Sequence, residues 1–276
     1  MHGAGNDFII VDNRYEKIAQ DDMSQVAKAL CSRRISVGAD GVMFLEDPVP
    51  GSETDCNMLF YNADGNPGEM CGNGTRCVCR FAWEHGFCEE DSDIQRIQTP
   101  AGIVTGQRLD KENYRIRLND ISVYKPGVKI IYEGKPYICD YLEMGLPGLP
   151  HTATRIKGLA EMDKEDLRSL GKYLRAYPPF VKGANVDFYD ITGPNVVELI
   201  TYERYVEDFT FACGTGTGCV SYLLAKRGQV DPENIKVHVP GGWMTVDIEP
   251  DSGNGKGGIF LSGATEVVYD ADTPLF

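Results

Sequence analysis

The sequence predicts an α/β chain, mixed α+β in detail, made of two copies of one domain. Three observations carry that prediction. The stretch Cys71-Gly-Asn-Gly-Thr-Arg-Cys-Val recurs as Cys213-Gly-Thr-Gly-Thr-Gly-Cys-Val, and each copy runs on to a glycine, Gly86 or Gly228. Landmarks on either side repeat as well: Gly38-Ala39-Asp40 answers Gly183-Ala184-Asn185, and Thr99-Pro-Ala-Gly102 answers Val239-Pro-Gly-Gly242. Further upstream, a helical pattern at Val26/Leu30 matches one at Leu167/Leu170/Leu174. A repeat this long means duplicated domains, since solenoid repeats run at roughly 20 to 50 residues. The expected boundaries are 1–119 for the first domain, with the tail 264–276 returning to it, and 120–263 for the second.

In chain order, a Gly-rich turn leads into Phe8-Ile9-Ile10-Val11, a short buried strand by composition, with Asn6 and Asp7 at its mouth. A helix near residues 22 to 31 follows. Gly38-Ala39-Asp40-Gly41 then turns into the apolar strand Val42-Met43-Phe44-Leu45, and Asp47 to Thr54 is a Pro/Gly/Ser loop. The strand Met58-Leu59-Phe60-Tyr61 delivers Asn62-Ala63-Asp64-Gly65-Asn66 towards Cys71. Val78/Phe81/Ala82 have the i, i+3, i+4 spacing of one buried helical face.

Short strand-like runs from Ile94 to Val123 carry the chain out of the first domain, with the crossover near Leu118-Asn119-Asp120. In the second, Gly145-Leu-Pro-Gly-Leu-Pro-His151 holds the place of Gly3-Ala-Gly-Asn6 in the first. Asp163 is the expected N-cap of the helix bearing Leu167. Glu198 to Tyr202 is a strand that presents Glu203 and Arg204, and Cys213 follows Arg204 at the distance by which Cys71 follows Asn62. Val220/Leu223/Leu224 repeat the buried face.

Each Cys-Gly-x-Gly is thus a flexible turn running into a helix N-terminus. There, free backbone N–H groups and the helix dipole favour an anion, and a cysteine is expected to lean towards thiolate. Two such thiols on opposite sides of one substrate could move a proton from one face of an α-carbon to the other. The thiolate takes it, the thiol returns one, and the helix ends hold the carboxylate.

Composition narrows the field. With 41 acidic against 27 basic residues, a net charge of −14 argues against a nucleic-acid partner, which needs a basic face. No apolar run approaches the roughly 20 residues that span a bilayer, so no membrane segment is expected, and the expected location is the cytoplasm. Nine cysteines without even spacing are expected as reduced thiols. Cys77, Cys79 and Cys219 read as small core residues, and no metal site is expected, because Cys71/Cys77/Cys79 contain no Cys-x-x-Cys. His151 is equally a core or a functional histidine, whereas His2, His85 and His238 read as structural.

These motifs resemble the diaminopimelate epimerase family, cofactor-independent amino-acid racemases with a two-cysteine mechanism. The residues concerned are Gly5-Asn6-Asp7-Phe8, Asn62-Ala63-Asp64-Gly65, Glu69-Met70-Cys71-Gly72-Asn73-Gly74, Gly148-Leu149-Pro150-His151, Asn185, and Glu203-Arg204 with Ala212-Cys213-Gly214-Thr215-Gly216. The resemblance implies two pseudo-symmetric domains, each a barrel-like sheet around a central helix, and neither pyridoxal phosphate nor metal. It implies Cys71 and Cys213 as the two bases, and an amino acid as substrate. Backbone N–H groups of Gly72, Asn73, Gly214 and Thr215 would hold the reacting carboxylate with Asn6 nearby. Asn62, Asn185, Glu203 and Arg204 would hold the distal amino and carboxylate groups. A homodimer is the expected assembly.

Two positions depart from the family pattern: Leu149 stands where asparagine is usual, and Tyr205 where glycine is usual. They leave open a related racemase acting on another amino acid, such as histidine. A non-catalytic anion-binding protein is the reading from a different class, and the lack of lysine in either turn opposes it.

Overall fold

A computed structural model of the chain describes residues 1–68, 70–89, 91–250 and 257–273. Glu69 of the first motif and the last three residues of the tail lie outside the described residues. The chain divides into two compact units, one of Met1–Arg117 with the segment from Ser262, the other of Leu118–Leu261.

In the first unit, strands β1 (Asn6–Asp12) and β2 (Gly41–Glu46) pair in parallel, β2 and β3 (Cys56–Asn62) antiparallel, β3 and β4 (Ile94–Thr99) parallel, and β4 and β5 (Gly102–Arg108) antiparallel. Parallel neighbours need a long crossover, and both crossovers here carry a helix. Helix α1 (Gln20–Leu30) joins β1 to β2, and α2 (Gly72–Glu84) joins β3 to β4. A further strand, β6 (Asn113–Arg117), pairs antiparallel with β5.

The second unit repeats the scheme after an antiparallel pair, β7 (Ile121–Tyr132) and β8 (Lys135–Met144). Strand β9 (Leu149–Arg155) runs antiparallel to β8 and parallel to β10 (Asn185–Gly193), and β10 is antiparallel to β11 (Val196–Glu203). Next, β11 is parallel to β12 (Ile235–Val239), which is antiparallel to β13 (Gly242–Glu249). The crossover helices are α3 (Lys164–Arg175) and α4 (Gly214–Lys226). The order of parallel and antiparallel pairings is the same in both units.

The two helices of each unit do different jobs. Along α1, Met23, Val26, Ala27 and Leu30 pack on Val42 and Phe44, and along α3, Leu167, Leu170 and Leu174 pack with Phe180 on Val186 and Phe188. These are one-sided amphipathic helices. Asp163 caps α3 by accepting the N–H groups of Glu165 (2.8 Å) and Asp166 (3.2 Å). By contrast α2 is buried from Gly72 through Arg80, and α4 buries Gly214, Gly216 to Val220, Ser221, Leu223 and Leu224. A helix buried on all sides is one around which a sheet wraps, so each unit is a sheet curved about the helix that begins at its cysteine.

That enclosure explains the small residues of the repeated motif. A Cβ on Gly74 would collide with the Met43 side chain and come within 3.2 Å of Phe8 Cζ. Gly74→Ala is expected to cost about 1 to 3 kcal/mol through overpacking, read as a lower urea midpoint with an unchanged slope.

After Ser262 the chain returns to the first unit. Glu266 and His2 exchange backbone hydrogen bonds at 2.9 Å each way, and the Thr265 N–H reaches the Glu112 carbonyl (2.8 Å). Among the described residues no helix is long and apolar enough to cross a membrane.

Candidate active site

Both cysteines are helix N-caps in extended backbone, Cys71 at φ −128° and Cys213 at φ −116°. Each starts its helix in the same way. The Cys71 carbonyl accepts the Thr75 N–H (2.7 Å) and hydroxyl (2.8 Å), and the Cys213 carbonyl accepts the Thr217 N–H (2.9 Å) and hydroxyl (2.8 Å). The threonine of the repeated motif therefore locks the cysteine's own backbone. The N–H groups of Gly72, Asn73, Gly214 and Thr215 are first-turn donors, whose acceptors lie outside the helical ladder.

In the first unit, the Cys71 thiol points at Asn6 Oδ1 (3.4 Å), which also receives Asn73 Nδ2 (3.4 Å). Asn6 is oriented from behind, because its Nδ2 donates to Asp40 Oδ2 (2.7 Å). Arg33 in turn holds Asp40 (3.0 Å) and clamps Asp7 with two hydrogen bonds (2.9 and 2.5 Å). Burial opposes the Asp7 charge, but the hydrogen bond and charge of Arg33 outweigh it and keep that carboxyl below the usual range. Asn62 is exposed, and its Nδ2 donates to the Asn66 carbonyl (3.2 Å) at the end of β3.

In the second unit, Cys213 Sγ accepts the Gly216 N–H (3.4 Å) and lies 3.5 Å from Thr215 Oγ1. Its protonation corrects the expectation from sequence. Burial first, then the nearby Glu203 and Asp187 charges, push the Cys213 thiol well above the ordinary value, against the pull of Thr215 and Gly216. A helix end does not offset that desolvation, so Cys213 rests as a thiol. Burial also raises the Glu203 carboxyl, which accepts the Thr210 hydroxyl (2.7 Å).

Arg204 is fixed by main-chain contacts. Its N–H donates to Asn185 Oδ1 (2.8 Å), and its Nη1 to the Lys182 carbonyl (2.7 Å). Its Nε is enclosed without a protein partner. Glu203 and Arg204, adjacent in sequence, have different partners, the Thr210 hydroxyl for the first and Asn185 and the Lys182 carbonyl for the second. Tyr205 keeps a left-handed backbone (φ 74°) that glycine adopts freely, and its ring lies 4.6 Å from the Arg204 guanidinium. The departure from the family pattern thus adds a ring over the arginine while the turn itself keeps a glycine's conformation.

His151 is fully buried on β9, with Nδ1 2.8 Å from Asp187 Oδ2 and Nε2 3.0 Å from Thr215 Oγ1. The other histidines have local partners: His2 faces Glu266, His85 stacks on Phe81, and His238 binds Glu198. Sequence alone does not mark Asp187 or Arg33, and it marks Asp40 only as a landmark of the repeat. For Asp187 the signal was present, since Asn185 and Asp187 are two apart on one strand and share a face.

Cavities elsewhere hold satisfied charges. One of about 520 Å3 in the second unit is lined in part by Asp140, Arg155 and Arg227, and Arg227 is already paired with Asp140 and Arg155 with Asp190. Burial drives Cys77 and Cys79 towards a neutral thiol, the former to about 12, as expected of core residues. Among the described residues no cluster of histidine, cysteine and carboxylate side chains has a metal-binding arrangement.

The family model described as diaminopimelate epimerase matches residues 1–120 and 146–268. A diaminopimelate epimerase of Desulforudis audaxviator is 30% identical over 279 residues, covering 98% of this chain and 96% of its own. That of Chlorobaculum tepidum is 34% identical over 88% of each chain. Among solved structures, a hydroxyproline epimerase from Agrobacterium vitis with bound trans-4-hydroxy-L-proline superposes with a TM-score of 0.68 at 17% identity, over 95% of this chain and 87% of that one. A probable proline racemase from Agrobacterium radiobacter gives 0.67 at 16%, over 99% and 93%. At such identities these two show a shared fold.

Proposed function

The chain belongs to the diaminopimelate epimerase family, and from that premise we propose that it interconverts LL- and meso-diaminopimelate by proton transfer at the α-carbon. Cys71 and Cys213 are the two acid–base groups, one removing the α-proton as thiolate while the other delivers a proton as thiol from the opposite face. The observation that carries this is the matched pair of capped cysteines, each locked by a threonine four residues on and each set beside first-turn N–H donors. Those donors, from Gly72 and Asn73 and from Gly214 and Thr215, hold the reacting carboxylate as charge builds on it, with Asn6 steadying the Cys71 side. The chemistry asks for no cofactor.

Arg204, Glu203, Asn185 and Asn62 bind the distal amino and carboxylate groups. Support comes from Arg204, whose guanidinium is held on one edge by backbone and keeps an enclosed Nε–H to offer. A cytoplasmic enzyme of small zwitterions fits the −14 charge and the nine cysteines. The test is kcat/KM for diaminopimelate beside histidine, proline and other monocarboxylic amino acids. Diaminopimelate is expected to lead by at least about a hundredfold, the value of one or two charged contacts at the distal end. A higher value for histidine would reassign the substrate and leave the thiol chemistry standing.

A further inference from the structure

We propose that Lys182, Glu143 and Tyr141 are positioning residues for Arg204, a clamp that holds the turn before β10 so that a distal carboxylate meets a guanidinium already fixed on one edge. The proposal deepens the reading of Arg204 as a distal contact and rests on it.

Sheet topology brings these residues together. Strand β8 is antiparallel to β9, β9 is parallel to β10, and β10 is antiparallel to β11. The end of β8, the starts of β9 and β10 and the end of β11 therefore lie side by side at one end of the sheet. Glu143 stands at the end of β8, Lys182 just before β10, and Arg204 just after β11. Lys182 spans them. Its carbonyl accepts Arg204 Nη1 (2.7 Å) on one side, and its Nζ donates to Glu143 Oε2 (2.7 Å) on the other.

The segment carrying Lys182 is a surface turn closed by the Gly183 N–H on the Phe180 carbonyl (2.6 Å), with Gly183 in the left-handed region (φ 66°). That turn aims the Lys182 carbonyl at Arg204, and Tyr141 fastens the turn twice. Its ring stacks on Phe180 (centroids 4.9 Å apart), and its hydroxyl donates to Glu143 Oε1 (2.7 Å), whose other oxygen takes Lys182. A Cβ on Gly148 would collide with the Glu143 carboxylate, so the glycine before Leu149 makes room for it.

The charges agree with this arrangement. The Glu143 side chain is 11% exposed, whereas that of Lys182 is half exposed. Burial opposes the Glu143 charge, but the hydrogen bonds from Lys182 and Tyr141 outweigh it and keep that carboxyl below the usual range. Burial first, then the bond to Glu143, push the Tyr141 hydroxyl up, and the Arg204 charge pulls it the other way. Arg204 is thus near enough to act on the far end of the clamp.

Two roles for Lys182 differ in sign. Were its ammonium itself a substrate contact, Glu143→Gln would release it and lower KM. If Glu143 holds Lys182 for the sake of Arg204, the same change raises KM.

The experiment is steady-state kinetics of diaminopimelate epimerisation by the full chain. Lys182→Met keeps the carbonyl and removes the ammonium. It is expected to raise KM about tenfold with kcat within about twofold, as for a contact made equally in ground and transition states. Lys182→Arg should restore most of the affinity, and Glu143→Gln should raise KM as Lys182→Met does. Added to Arg204→Met, Lys182→Met should lower kcat/KM no further, because the clamp then has nothing to position. An unchanged KM in Lys182→Met, a lowered KM in Glu143→Gln, or a full second loss on top of Arg204→Met overturns the clamp. Should Glu143→Gln fail to fold, the exposed Lys182 variants decide alone. A weakened Arg204→Met beside an indifferent Lys182→Met removes the clamp only, whereas an indifferent Arg204→Met removes the distal reading and the clamp with it.

Discussion

Cys71→Ala and Cys213→Ala should each lose turnover in both directions, by at least the 10²- to 10⁴-fold that general acid–base transfer typically supplies. Neither thiol can stand in for the other if they serve opposite faces of the α-carbon. Cys213 is the sharper case. Its thiol is buried and disfavoured as an anion by Glu203 and Asp187, so a proton it holds at rest is available for delivery. Cys213→Ser keeps the size and the Gly216 N–H contact but substitutes a far weaker acid, so it should stay within about tenfold of the alanine variant. The measurement is kcat from the LL and the meso side, with the folded state checked by near-ultraviolet circular dichroism. Racemisation by folded Cys213→Ala at near wild-type rate would make that thiol a bystander.

Arg204→Met is expected to lower kcat/KM for diaminopimelate by about 2 to 5 kcal/mol, roughly thirtyfold to several-thousandfold, the usual cost of truncating a buried charged contact. The guanidinium is pre-oriented: its main-chain N–H binds Asn185, its Nη1 binds the Lys182 carbonyl, and the Tyr205 ring covers it. Little side-chain entropy is lost when a carboxylate arrives, so the removed interaction is close to its full value. Methionine retains much of the stem's packing while removing the charge. Slow α-proton exchange on a monocarboxylic amino acid should be nearly untouched, because no distal carboxylate is present to lose. Equal losses on both kinds of substrate would show that Arg204 supports the fold of the site and leave the distal subsite unassigned.

The duplicated fold was legible because its signals are local and repeated. Asp163 as N-cap, the Leu167/Leu170/Leu174 face and the apolar strands at Phe8 and Val42 each follow from a short-range rule, and the structure has them where the sequence expects them. The cysteine turns were legible too, since a glycine-flanked N-cap announces itself. The electrostatics of Cys213 was not. Its thiol character is set by enclosure and by two carboxylates, Glu203 of β11 and Asp187 of β10, that the fold brings to it, and no local pattern reports desolvation. His151 illustrates the same limit. As one histidine after a proline it is ambiguous, and it becomes informative only once β9 lies beside β10 and brings Asp187 to its Nδ1. The Arg33, Asp40 and Asn6 brace behind Cys71 likewise joins the start of β1 to the loop between α1 and β2, about thirty residues further along the chain.

The central claim is that two thiols, one on each face, exchange the α-proton, and the direct test is epimerisation in D2O followed by proton NMR from the first turnovers. Starting from LL-diaminopimelate, the meso product should carry solvent deuterium at the inverted centre from the outset, while the remaining LL pool keeps its α-proton. A one-base path would return the abstracted proton or exchange it on the same face. Protium retained in the early product, or deuterium appearing in the LL pool as fast as meso forms, would contradict the account.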